Sequence, residues 1–193
     1  MQIRKNEKRE ALMSATVTVI ARDGLERLTT KSVEAESRVS ERYIFLYYVS
    51  KDGLLRQTFD TVEKSFAAVL CGEIRRATDQ PLRMELRLRT AWNAVWKHMT
   101  AHADRTKFYI RYFYSEQFER FSREDHERNF APVISLLGPL FRDNGAGVLR
   151  YIFTTLLSSA LAGITEAQTQ DGLLCERTFR MLYQSVRDQL LSD

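Results

Sequence analysis

The spacing of apolar residues is what most constrains this chain. They recur three and four positions apart along nearly its whole length and do not alternate with polar residues over any strand-length run. Leu55, Phe59, Val62, Phe66 and Val69 follow one another in steps of 4, 3, 4 and 3, which is one stripe of a helix. Leu88, Trp92, Val95, Trp96 and Met99 repeat the pattern further on. Eight Gly and three Pro are too few for a fold made of many tight turns. The spacing therefore predicts an all-α chain of about nine helices, over 8–22, 29–36, 40–46, 51–71, 82–103, 105–121, 124–143, 147–169 and 173–191. Gly24 reads as the left-handed residue that ends the first helix; Gly72, Pro81, Asp104, Asn144-Gly145 and Gly172 read as further breaks.

Short helices fill the first fifty residues and longer ones the rest. That predicts a small N-terminal module, residues 1–50, and a larger helical body, residues 51–193. Charge does not separate them, because the overall balance of 29 basic against 25 acidic side chains is spread evenly along the chain. Any affinity for nucleic acid must come from local pattern. Two cysteines, Cys71 and Cys175, support neither a disulfide framework nor a zinc cluster, which suits a reducing cytoplasm. MQIRKNEKRE leads into no secretory signal pattern, and Tyr151–Ile164 reads as a buried helix too short to cross a bilayer. No membrane partner is expected.

The informative stretch is TTKSVEAESRVSERYIFLYYVSKDGLL, residues 29–55. Thr29 or Thr30 can cap a short helix with Val33 on its apolar face. Ser40 suits the cap of a second helix, with Glu41 in its first turn and Ile44 packing back. Ser50 suits a third. Two short helices joined by a tight turn and followed by a long one make a helix-turn-helix shape. The second helix of such a motif enters the major groove by its N-terminal residues, here Ser40, Glu41, Arg42 and Tyr43. Arg42 can contact guanine in bidentate fashion. Tyr47, Lys51, Thr29 and Thr30 suit phosphates. Each residue taken singly has a plainer reading: Thr30 and Ser50 as caps, Tyr47 as core, Lys51 as a solvated charge. Arg4, Lys5, Lys8 and Arg9 make a basic arm that either follows the DNA backbone or is a solvated terminus.

The order of these residues resembles the DNA-binding domain of the tetracycline-repressor (TetR) family of bacterial transcription regulators. The resemblance rests on Gly24, Thr29-Thr30, Val33, Val39-Ser40, the run Ile44-Phe45-Leu46-Tyr47-Tyr48, and Ser50-Lys51-Asp52-Gly53-Leu54-Leu55. It covers about residues 8–55. Glu34 stands where the family usually has Ala, Arg38 where it has a turn Gly, and Phe45 where it often has Tyr. A non-Gly residue in the left-handed region is uncommon, so Arg38 either accepts that strain or the turn differs. The resemblance implies a DNA-binding regulator, a repressor, released from a palindromic operator by a small molecule, for which the aromatic residues of the helical body suit a hydrophobic or aromatic ligand. It also implies a homodimer formed through the last two long helices. Small residues from Ser158 to Gly163 and the stripe Phe179, Leu182, Tyr183, Val186 and Leu190 suit that pairing.

Aromatic residues crowd between Trp92 and Phe121, far beyond what a minimal core needs. Phe59, Phe66, Trp92, Trp96, Met99, His102, Tyr109, Tyr112 and Phe113 are the expected ligand-binding residues, with His102 as a polar edge. Ordinary core aromatics are the alternative for each. His98 and His102 stand four apart, but no matching Cys or carboxylate set accompanies them, so no metal is expected, and no cofactor either. His126, inside RFSREDHERN, reads as part of a solvated charged face. No GxSxG, HExxH, P-loop or GxGxxG motif is present, and no enzyme is expected. The competing class is a helical ligand-binding or protein-interaction module without specific DNA binding, which the acidic Glu34 and Glu41 keep open.

Overall fold

A computed structural model describes residues 2–145, 147–165 and 171–191. Among the described residues are ten α-helices and no strand. They are α1 (Gln2–Asp23), α2 (Thr30–Ser37), α3 (Arg42–Tyr48), α4 (Lys51–Thr78), α5 (Met84–Ala101), α6 (Ala103–Phe113), α7 (Glu116–Phe121), α8 (Arg123–Leu137), α9 (Val148–Thr165) and α10 (Asp171–Val186). The all-α expectation holds.

Several boundaries differ, each for a local reason. The segment expected as one helix over 105–121 breaks at Tyr114-Ser115, because the Ser115 side chain accepts from Phe118 N at 3.2 Å and starts α7. Gly72 does not end α4. Leu70, Cys71 and Ile74 around it are buried, and their packing outweighs the ~1 kcal/mol penalty of a helical Gly. The helix expected over 124–143 stops at Leu137, before Gly138-Pro139. Gly24 has φ 99° and ψ 163°, a region essentially reserved for glycine, and is not in the left-handed helical well. The last four residues of the helix expected over 147–169 fall outside the described residues.

The contacts group into two compact units. One comprises residues 1–64 and 104–127, the other 65–103 and 128–193, and α4 contributes to both. In the first, α1 packs on α2 and α3. Leu12, Ile20, Val33, Ile44 and Leu54 are buried there. Phe59 stands against Tyr109, Tyr112 and Phe118, with ring centroids 5.0, 4.5 and 5.6 Å away. In the second unit, α5, α9 and α10 pack on one another. Trp92, Trp96, Leu156, Leu157 and Phe179 are buried at their meeting. Helix α9 is long and apolar enough by composition to cross a membrane. Part of that apolar surface is buried, at Leu156, Leu157, Ala160 and Gly163.

Candidate functional site

The N-terminal unit builds a helix-turn-helix from short-range contacts. Thr29 caps α2 reciprocally: Ser32 N donates to Thr29 Oγ1 at 3.0 Å and Thr29 N donates to Ser32 Oγ at 2.9 Å. Such a cap contributes on the order of 1 kcal/mol. At the other end of α2, Arg38 adopts φ 57° and ψ 21°, the left-handed conformation, and its N–H donates to Glu34 O at 2.9 Å. The turn therefore keeps the shape that a glycine would give, and Arg38 carries the strain. Val39 N donates to Ser37 Oγ at 3.1 Å and so stays satisfied through the turn.

Helix α3 begins at Arg42. Ser40 was expected to cap it, but the cap position is Glu41 and no side chain caps the helix; Ser40 instead offers its carbonyl to Tyr43 N at 3.0 Å. Ile44 and Tyr48 anchor the inner face, and Tyr48 Oη donates to Arg9 O at 3.0 Å. Val49 ends the helix at φ 69° and ψ −37°, a real outlier for a β-branched residue. Ser50 caps α4 as expected, accepting from Gly53 N at 2.9 Å. Gly53 is required there: a Cβ would lie 2.1 Å from Tyr48 O, so only glycine lets α3 and α4 meet this closely.

Of the residues expected to face DNA, Arg42, Tyr43 and Tyr47 lie on α3, while Ser40 and Glu41 precede it. Arg42 is exposed, with its guanidinium 5.0 Å from the Tyr43 ring centroid and a hydrogen bond to Tyr43 Oη at 3.3 Å. Lys8 Nζ sits 4.0 Å above the same ring, and Lys5 Nζ lies 5.9 Å from the Tyr47 centroid. Hydrogen bonding from Lys8, then from Arg42, holds the Tyr43 phenol below its ordinary pKa. The arm residues Lys5 and Lys8 thus stand beside α3 on aromatic supports. Thr30 is half-buried in the first turn of α2. Lys51 has an internal role: its Nζ donates to Leu28 O at 3.3 Å, fastening the start of α4 to the residue before Thr29.

The expected ligand-binding residues divide between the two units. Phe59, Tyr109, Tyr112 and Phe113 belong to the first. There Phe59, Tyr109 and Tyr112 are packed solid, Tyr109 Oη donates to Glu63 Oε1 at 3.0 Å, and Tyr112 Oη pairs with Ser122 Oγ at 2.9 Å. Phe113 is half-buried against Phe118, at 4.7 Å. Glu63 is fully buried, and His126 Nδ1 lies 2.6 Å from its Oε1. His126 is therefore tied into this core instead of lying on a solvated face. Burial first, and the Glu63 carboxylate second, push the Tyr109 phenol well above its ordinary pKa.

Phe66, Trp92, Trp96, Met99 and His102 belong to the second unit. That unit holds an apolar cavity of about 90 Å³. Of the nine residues expected, Trp92 alone lines it. Phe66 packs on Phe130 and Phe153, Trp96 lies against Gly163, and Met99 is buried. His102 is exposed at the end of α5, its Nδ1 2.9 Å from His98 O. The cavity wall comes mostly from aliphatic residues such as Leu70, Leu88, Val95, Leu156, Leu182 and Val186. The sequence signal for several of these was the helical stripe itself. The stripe Phe179, Leu182, Tyr183 and Val186, which suited a dimer contact, faces this cavity inside its own unit. Among the described residues no group of three or more His, Cys, Asp or Glu is placed to hold a metal.

Comparison with known proteins agrees with this geometry. The family model of bacterial regulatory proteins, tetR family, matches residues 12–58. An uncharacterized HTH-type transcriptional regulator of Haemophilus influenzae is 30% identical over 96 residues, 50% of this chain, and the match spans about half that relative's length (49%). The crystal structure of a TetR family transcription regulator from Marinobacter aquaeolei VT8 superposes with a TM-score of 0.76 at 17% identity, covering 96% of this chain and 98% of that one. FadR from Bacillus subtilis, solved in complex with stearoyl-CoA, gives a TM-score of 0.67 at 14% identity, covering 90% of this chain and 96% of that one.

Proposed function

We propose that the chain is a regulator of the TetR family, a cytoplasmic, homodimeric repressor of a palindromic operator. The observation that carries the reading is the α2–Arg38–α3 hairpin, which holds Arg42, Tyr43 and Tyr47 on one side of α3 while Ile44 and Tyr48 anchor the other. In the complex α3 lies in the major groove. Arg42 reads a guanine, and Thr29, Thr30, Tyr47, Lys5 and Lys8 hold phosphates. Ser40, Glu41 and Tyr43 stand at the groove edge. The competing module without DNA binding has no use for a basic arm set against this helix.

The effector is a small apolar molecule bound in the cavity of the second unit. The space is several times the ~10–15 Å³ that one water requires, and its walls offer hydrocarbon and aromatic surface, so it favours an apolar guest over water. The fold is one that holds stearoyl-CoA in the Bacillus subtilis relative, which supports an apolar chain or ring as the class of ligand. Helix α4 begins at the helix-turn-helix and also lines the cavity through Leu70 and Ile74, so it links effector to operator. Release requires several kcal/mol of differential affinity between the two states. Dimerisation uses the outward faces of α9 and α10, where Tyr151, Leu173 and Met181 are exposed apolar residues.

In-vitro selection of duplex DNA by the purified protein tests this reading. Enrichment of a palindrome with half-sites about one helical turn apart is the expected result. Folded protein that enriches no sequence would leave only the ligand-binding module.

A further inference from the structure

Helix α3 carries an apolar stripe on the wrong side for a core residue. Phe45 is 53% exposed, Leu46 69% and Val49 84%. Arg42, Phe45 and Leu46 fall within an arc of about 100° around the helix, and Val49 continues the same line at its end. Ile44 and Tyr48, on the opposite side, already supply the buried contacts that fix the helix. The stripe therefore leaves apolar surface in water. Val49 also sits at a strained positive φ, and strained backbone of this kind clusters at functional sites.

The surroundings say what covers it. Lys5, Lys8 and Arg42 are each held against the ring of Tyr43 or Tyr47 on the same short helix. Apolar groups flanked by cations complement a surface whose interior is partly apolar and whose edges are anionic. The major groove is such a surface: phosphates line its rims, and the C5-methyl of thymine is the apolar group on its floor. Seven residues of helix extend about 10 Å, which faces roughly three base pairs.

We infer that Leu46 and Phe45 read thymine C5-methyl groups beside the base contacted by Arg42. This rests on the operator-binding reading above and deepens it: each half-site contains at least one thymine recognised by its methyl group. Phe45, which lacks a hydroxyl for a phosphate, has its use here. Leu46 supplies a compact branched end for one methyl, and Phe45 a flat face for a neighbouring one. Val49 closes the stripe on the side of the following turn.

The test uses the full chain and the duplex recovered by selection, with thymines in each half-site replaced one position at a time by deoxyuridine, which pairs identically but lacks the methyl. Affinity is read by fluorescence anisotropy. At least one replacement per half-site should weaken binding about three- to fivefold, the effect of one lost methyl contact. Leu46→Ala or Phe45→Ala should weaken binding to the thymine duplex and abolish the penalty at its own position. Arg42→Ala should weaken binding while leaving the penalty in place. Both apolar side chains are exposed, so the variants keep the wild-type melting temperature. Full affinity for every deoxyuridine duplex would overturn the inference while operator binding stood. So would a penalty unchanged in both alanine variants, or loss of self-association in Leu46→Ala, which would make the stripe a protein contact. A selection that enriches no sequence would overturn operator binding itself, and this inference with it.

Discussion

Arg38 stands where the turn between α2 and α3 needs a left-handed residue. A side chain there costs about 1–2 kcal/mol. Arg38→Gly should relieve most of that strain, offset in part by the freer unfolded chain, and raise the melting temperature by about 2–4 °C. Calorimetry measures it; an unchanged or lower value would mean that the Arg38 side chain earns its strained position through contacts of its own. Gly53 marks the opposite case. A methyl group at this position meets the Tyr48 carbonyl at 2.1 Å, so Gly53→Ala should lower stability by at least ~1–3 kcal/mol and weaken DNA binding by shifting α3 against α4. Lys51 also holds a contact inside the N-terminal unit. Its hydrogen bond to Leu28 O makes Lys51→Ala a stability variant, with a loss of about 1 kcal/mol, before any effect on phosphate contacts.

At the scale of elements, the buried Glu63 joins α4, α6 and α8 through Tyr109 and His126. Tyr109→Phe removes one donor from a carboxylate with no access to water and should destabilise the protein by ~1–3 kcal/mol in urea titration. The Tyr109 phenol also sets a pH limit. Its folded pKa lies above the ordinary value of about 10, so its contribution is intact below pH ~10 and is lost as pH rises through the folded value. Tyr109→Phe should blunt alkaline unfolding in that window, and an unchanged profile would assign the alkaline limit to other groups. None of this network was legible in the sequence, because Glu63 and His126 are 63 residues apart and His126 sits among charges that suggest solvent. The helix-turn-helix was legible because its caps, turn and anchors lie within 27 residues and act through neighbours. The cavity of the second unit was legible only as helical stripes. Periodicity finds an apolar face but does not say whether it meets a ligand, a second subunit or the chain's own core, and so Phe179 and Leu182 suited a dimer although they line the cavity.

For the whole molecule, the proposed dimer depends on surface that the chain leaves uncovered. Met181 is 71% exposed on α10, away from the buried Leu182. Met181→Asp should leave the fold intact and shift the protein from dimer to monomer in sedimentation equilibrium. With paired recognition helices lost, operator affinity should fall by orders of magnitude. A monomer that kept full operator affinity would show that pairing is not required. Gly163, whose Cβ would stand 2.7 Å from Trp96, is committed to packing within its unit, so Gly163→Ala should lower stability without changing the oligomeric state.

The most direct test of the central claim is the affinity of the protein for its selected duplex and for a scrambled one, titrated between 50 and 200 mM salt. The account predicts a preference of about a thousandfold or more for the selected site and a steep fall of both affinities with salt. It also predicts that Arg42→Ala erodes the preference more than the non-specific affinity. Equal affinity for the two duplexes, or binding indifferent to salt, would contradict it.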